Sequence, residues 1–130
     1  MIVLDASAAI DYLLLTAAGR RIEHRVHSRP ESLHAPDVLD LEVTQVLRRL
    51  VREGTLTIER ADEALQDLLD LRLTRYPPYV LLPRIWQLRH NLSAYDAAYV
   101  ILAEKLRSPL ITRDARLASA PGHAAQVEVF

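Results

Sequence analysis

Residues 93–106, SAYDAAYVILAEKL, are apolar almost all the way round a helical wheel. Ala94, Ala97, Ala98, Val100, Ile101, Leu102 and Ala103 leave little polar face. A helix of that kind belongs inside a protein rather than on its surface. Yet Asp96 sits in its first turns. A buried carboxylate is costly unless it is paired, hydrogen-bonded or bound to a metal. Any fold for this chain must bury the helix and still give Asp96 a partner.

The remaining pattern supplies a sheet for that helix to cover. IVLD at residues 2–5 is a continuous apolar run suited to a central parallel strand. SAAIDYLLL reads as a helix with Asp5 or Ser7 as N-cap, and GRRIEHRVHS as a second, polar helix. Gly19 and Gly54 read as breaks. LHA before Pro36 suggests a short strand. Leu39, Val43, Val46, Leu47 and Leu50 recur at helical spacing across residues 37–52, with arginines crowding the C-terminal end. Thr57 caps a further helix striped by Ile58, Ala61, Leu65, Leu68 and Leu69. LRLTRY reads as a strand, residues 78–88 as helical despite Pro83, PLIT as a buried strand, DARLAS as a short helix and QVEVF as a last strand. Strands alternating with helices argue for an α/β sandwich on a mostly parallel sheet. In open sheets of that kind ligands bind beyond the carboxyl ends of the strands.

The chain has 130 residues, read as a single domain over 1–130. A domain of that size buries about two thirds of its unfolded surface, enough for a core without staples. It has no cysteine, so disulfides, thiolate metal sites and thiol nucleophiles are excluded, and a cytoplasmic location is expected. The net charge of −1 does not advertise nucleic-acid binding, though a local patch can still provide it. No signal peptide or membrane-spanning stretch is evident. Among the histidines, His24 and His27 are spaced i, i+3, while His34, His90 and His123 are scattered, and no zinc-ligand spacing emerges.

Four acids fall where the chain approaches the expected carboxyl edge. Asp5 ends the first strand, Asp114 follows LIT, and Glu42 and Asp96 lie early in their helices. Gathered in one pocket they could not all ionise without a counter-charge, because like charges raise each other's pKa. A hard divalent cation removes that penalty, and an oxygen-only donor set suits Mg²⁺ or Mn²⁺. Each acid also has a plainer reading. Asp5 and Asp114 could cap the helices after them, Asp96 could be the N3 acid of a capping box begun by Ser93, and Glu42 could be solvated.

Four stretches in order, IVLDASA, HAPDVLDLEV, LSAYDAAYVILAE and PLITRDARLA, resemble PIN-domain ribonucleases, the toxin half of VapBC-type toxin–antitoxin pairs. The resemblance implies a three-layer sandwich with a Rossmann-like sheet and helices on both faces. It implies a toxic, Mg²⁺- or Mn²⁺-dependent endoribonuclease that hydrolyses RNA, forms a homodimer and is neutralised by a small antitoxin. Carried over singly, its acids fall on Asp5, Glu42, Asp96 and Asp114, with Asp5, Asp96 and Asp114 as metal ligands. Glu42 is expected to reach metal through water or to orient the nucleophile. Ser7 and Thr112 match hydroxyls that hold carboxylates in place.

Arg113 abuts this site and is read either as a phosphate contact or as solvated. Tyr95 and Tyr99 flank Asp96; one could stack on a base, but core packing is the default. Trp86 is assigned to the core or to a dimer interface, with Tyr79, Leu82 and Ile85 as further interface candidates. Alternatives are a non-toxin PIN-like nuclease acting on structured DNA or in RNA processing, and a catalytically silent binding module. The latter would normally have lost some of the four acids. A phospho-receiver domain would need an acid pair after the first strand and a lysine after a late one; the only lysine here is Lys105, on a helix.

Overall fold

The computed structural model describes residues 1–130. Five strands, β1 (Ile2–Leu4), β2 (Leu33–Pro36), β3 (Leu73–Tyr76), β4 (Leu110–Thr112) and β5 (Val127–Val129), form one sheet in the order β3-β2-β1-β4-β5. Every pairing is parallel, so the sheet is wholly rather than mostly parallel. Such strands must be covered on both faces, and the apolar runs show it: Ile2, Val3, Leu4, Leu110 and Ile111 are fully buried.

The covering helices are α1 (Ala6–Leu14), α2 (Ala17–His27), α3 (Val38–Arg52), α4 (Ile58–Asp70), α5 (Leu82–Gln87), α6 (Ala94–Leu106) and α7 (Ala115–Ser119). A 3-10 turn at Pro78–Leu81 leads into α5, where Pro83 sits at the helix start and so breaks nothing. Helices α1 to α4 pack together as one group. Helix α6 lies against β1, β2 and β4, with α5 beside it. The three-layer α/β sandwich follows. The whole stretch Ala97–Ala103 of α6 is buried, as its apolar circumference requires.

Two details depart from the sequence reading. Gly19 is not a break but lies in the first turn of α2, whose N-cap is Thr16. A β-carbon on Gly19 would lie 1.8 Å from the Asp11 carbonyl oxygen, so only glycine lets α2 cross α1 this closely. The interface candidates also divide. Tyr79, Leu82 and Trp86 are exposed, whereas Ile85 is 6% exposed and belongs to the core. The exposure of Trp86 likewise removes it from the core. No helix is long and apolar enough to cross a membrane.

Candidate active site

The order of strands reverses direction between β1 and β4: from β1 the chain builds outward through β2 and β3, and then β4 and β5 are added on the other side. That switch point opens a crevice at the carboxyl ends of the two strands. The register pairs Leu4 with Ile111, so Asp5 and Thr112, one residue further on, emerge side by side.

Asp5 is the anchor. Its Oδ1 accepts from the Ser7 hydroxyl at 2.7 Å and from the Ala8 backbone N–H at 2.9 Å. Its Oδ2 accepts from Thr112 Oγ1 at 2.5 Å. Thr112 Oγ1 in turn accepts from the Asp114 N–H at 2.9 Å, and the Arg113 N–H donates to Ser7 Oγ at 3.0 Å. The hydroxyls expected to support the acids therefore fix Asp5 and tie the β4–α7 turn to α1. The side chain of Asp5 is nevertheless 5% exposed. Burial pushes its carboxyl above the ordinary range, three hydrogen bonds pull it back, and the nearby Asp96 charge adds to the rise.

Glu42, on the first turns of α3, is pushed up first by burial and then by the charges of Asp96 and Asp5. Opposing that, the Tyr99 hydroxyl donates to Glu42 Oε1 at 3.0 Å. Tyr99 is 2% exposed, and its own ionisation is pushed far up by burial and by Glu42. The charge of Asp96 thus reaches both Asp5 and Glu42, and that of Asp5 reaches Glu42. The structure corrects one premise: Asp96 is not deeply buried. It stands at the N-terminal edge of α6 with its side chain 32% exposed, while its N–H donates to the Ser93 cap at 3.1 Å.

Asp114 is turned differently. Its carboxylate is gripped by Arg116, whose Nε lies 3.0 and 3.1 Å from the two oxygens, and this guanidinium holds the Asp114 pKa below the usual carboxylate range. The same guanidinium lies 3.8 Å from Asp96. Arg116 therefore supplies the positive charge on this side of the pocket. Arg113 points elsewhere: its Nε pairs with Asp11 at 2.8 Å and its Nη1 reaches the Phe130 carbonyl.

The capping readings and the pocket reading turn out to be compatible. Asp5 caps α1, Asp114 caps α7 and Ser93 caps α6. Capping is how the backbone aims these side chains at one edge of the sheet. From sequence, Tyr99 reads only as a base-stacking or core residue, and Arg116 is not singled out. The structure sets Tyr99 against Glu42, and Arg116 against Asp114 and Asp96. The signals were present: a tyrosine one turn after Asp96 inside an otherwise apolar helix, and an arginine two residues after Asp114. Tyr95, assigned to the core by default, is 63% exposed.

The donor chemistry fits a hard divalent cation. Four carboxylates and two hydroxyls are present, with no thiolate or imidazole among them. A buried Asp5 in a field of like charge needs positive compensation. The acids do not close on a common point as a ready-made ion cage. The grip of Arg116 on Asp114 is one physical reason. The histidines take no part: His24, His27 and His90 are exposed, His34 is buried between Ser32 and Tyr76, and His123 bonds to the Leu117 carbonyl.

Comparisons with known proteins agree with this geometry. A family model described as PIN domain matches residues 2–122. A VapC ribonuclease of Mycobacterium bovis is 45% identical over 117 residues, covering 90% of this chain and 88% of the relative. Ribonuclease VapC12 of Mycobacterium tuberculosis is 40% identical over 129 residues, covering 99% and 98%. Among solved structures, Mycobacterium tuberculosis VapC20, described as a toxin that cleaves the sarcin–ricin loop, superposes with a TM-score of 0.68 at 17% identity, covering 95% of this chain and 97% of that one. VapBC2 of Rickettsia felis, solved bound to a promoter DNA fragment, superposes at 0.70 and 12% identity, covering 99% and 98%. With its four acids at one sheet edge and its full-length likeness to VapC proteins, the chain belongs to the PIN domain family, in its VapC-type branch.

Proposed function

We propose that this protein is the toxin of a VapBC-type pair, an endoribonuclease that hydrolyses phosphodiester bonds in RNA with Mg²⁺ or Mn²⁺ and is neutralised by a cognate antitoxin. The observation that carries the reading is the buried Asp5 carboxylate, fixed by Ser7, Thr112 and the Ala8 N–H, with Glu42 and Asp96 within its field. The ribonuclease names of relatives 40–45% identical support it.

Asp5, Asp96 and Asp114 would hold the cation. When bound, it supplies charge neutralisation for the phosphoryl oxygens and lowers the pKa of a coordinated water. The chain's own residues do the rest. Ser7 and Thr112 keep Asp5 from turning away. Glu42 is made more basic by burial and by its acidic neighbours, so it suits accepting a proton from the attacking water. The water oxygen bonds to phosphorus as the bond to the 3′ oxygen breaks. Asp114 becomes available when Arg116 releases it, which frees a guanidinium beside the phosphate.

Partners follow the same reading. Solved neighbours of this fold include the FitAB and VapBC2 assemblies, which supports an antitoxin partner. Tyr79, Val80, Leu82 and Trp86 form an exposed apolar group around α5 that suits a homodimer contact. The purified protein should cleave single-stranded RNA in Mn²⁺ and not in chelator. Asp96→Asn should stay folded and lose that cleavage. Near wild-type cleavage by that variant would remove Asp96 from the site.

A further inference from the structure

A groove of about 660 Å³ runs from the acid pocket along the outer side of α3. That volume falls within the ~300–1,000 Å³ of ordinary small-ligand sites. Ser7 and Glu42 are among its lining residues, so it adjoins the place where a phosphodiester would be cut. Its floor is apolar, with Ile10, Val38 and Val46 among the lining residues. Leu41, 74% exposed, and Tyr95, 63% exposed, stand at its sides. Gln45, Arg49 and Asp11 also line it, the Asp11 carboxylate being paired with Arg113 at 2.8 Å.

Three features of this groove want a nucleotide. Tyr95 directly precedes Asp96 on the chain, so an exposed aromatic ring stands one residue from the acids. Glu42, Gln45 and Arg49 follow at i, i+3 and i+7 on one face of α3, which sets Arg49 two helical turns, about 10 Å, from the acidic end. The Arg49 guanidinium is 60% exposed and has only a loose 3.8 Å contact with Glu53, an exposed pair that binds it weakly. An apolar floor, an exposed aromatic ring, an amide and an exposed, weakly paired cation line one groove, and match base, base edge and phosphate.

We infer that this groove is the subsite for the nucleotide next to the scissile phosphate in a single-stranded RNA: Tyr95 stacks on its base, Gln45 meets the base edge and Arg49 holds the following phosphate. The inference deepens the nuclease reading and rests on it. Single-stranded RNA is recognised mainly through unstacked bases laid on aromatic rings, which is the role this exposed tyrosine can fill and a core tyrosine cannot. An antitoxin segment seated on the apolar floor is the rival occupant, and in that case Tyr95→Ala leaves KM for RNA unchanged.

The test uses the full chain and a fluorescein-labelled, mixed-sequence single-stranded oligoribonucleotide. Tyr95→Ala should raise KM by roughly 5- to 150-fold, the range given by losing one base stack, with kcat little changed. Tyr95→Phe keeps the ring and should keep KM. Arg49→Ala should raise KM and flatten the logarithmic salt dependence of binding by about 0.7. A binding readout independent of cleavage comes from the double variant Tyr95→Trp, Trp86→Phe, whose single indole should be quenched by the oligoribonucleotide in chelator. Unchanged KM in Tyr95→Ala, or unquenched emission in the double variant, overturns the subsite. Failure of the wild type to cleave any RNA while quenching persists would sink the nuclease reading and leave the groove as an RNA site.

Discussion

The Tyr99 hydroxyl and Glu42 Oε1, on helices α6 and α3, are joined by a hydrogen bond of 3.0 Å inside the protein. Glu42 is already raised by burial and by two neighbouring acids, and this bond is the force that opposes the rise. Tyr99→Phe keeps the ring and removes only the donor. Stability should fall by about 1–2 kcal/mol. Cleavage should fall by roughly 10- to 100-fold, as when a group orienting a site residue is lost. Thermal melts and cleavage kinetics on the same preparation check both. Unchanged kinetics with lowered stability would make Tyr99 a packing residue only.

Asp5→Asn tests the charge carried by the buried anchor. The folded carboxyl is raised above its ordinary 3.8, so the folded state binds a proton more readily than the unfolded one. The sign follows: stability from this group is greatest at low pH and declines as pH rises through the raised value. At neutral pH the charge is a burden, and asparagine can still cap α1. The variant should match or exceed wild-type stability in chelator. Saturating Mn²⁺ should stabilise wild type by about 2.7 kcal/mol at 100 times its Kd, and the variant by much less. Equal metal-induced shifts would make Asp5 structural alone.

Arg116 competes for the acids it grips. Its contacts with Asp114 and Asp96 must loosen before those oxygens can serve a cation. Arg116→Gln should therefore bind Mn²⁺ more tightly, by about 2- to 5-fold, the scale set by exposed ion pairs. Titration calorimetry reads this directly. Weaker Mn²⁺ binding would show that Arg116 orders the pocket instead of guarding it.

Gly19→Ala should be severely destabilising. The added methyl would meet the Asp11 carbonyl at 1.8 Å, so α2 must move off α1. A loss of about 3 kcal/mol or more is expected, the upper range for forced overpacking. A denaturant midpoint close to wild type would mean that α1 and α2 separate easily.

His34 gives the fold a mild acid sensitivity. It is 6% exposed, with Ser32 at 2.7 Å and Tyr76 at 2.8 Å, and burial lowers its pKa below 6.5. As pH falls below about 6.5 the unfolded chain takes up the proton first, so stability declines until the folded-state value is passed. The melting temperature should drop between pH 7 and pH 5.5 more steeply in wild type than in His34→Gln. Parallel profiles would clear His34 of the effect.

Much of this was legible in advance because it is written in local pattern. The fully buried strands around Val3 and Ile111 are continuous apolar runs, and α6 advertises its burial all round. What was not legible depends on distant contacts. Nothing near Gly19 says that another helix passes within a methyl's reach. Nothing near Tyr95 and Tyr99 says that one faces solvent and the other faces Glu42, since α6 is apolar on every side and gives no phase. Asp96 reads as buried for the same reason, although its side chain is 32% exposed. Asp5 and Asp114 read from sequence as either caps or pocket acids, whereas the fold makes each a cap that also stands at the carboxyl edge of the sheet.

The hydrogen bond between Thr112 and Asp5 joins residues 107 apart in sequence. Strand β1 is made well before its neighbour β4, with β2 and β3 between them in the sequence. During synthesis, Asp5 has no Thr112 hydroxyl to accept from until 107 further residues have been added. A carboxylate whose fixing hydroxyl comes from so far along the chain gains its geometry only when β4 has joined β1, so the order of this pocket belongs to the assembled sheet and to no local segment.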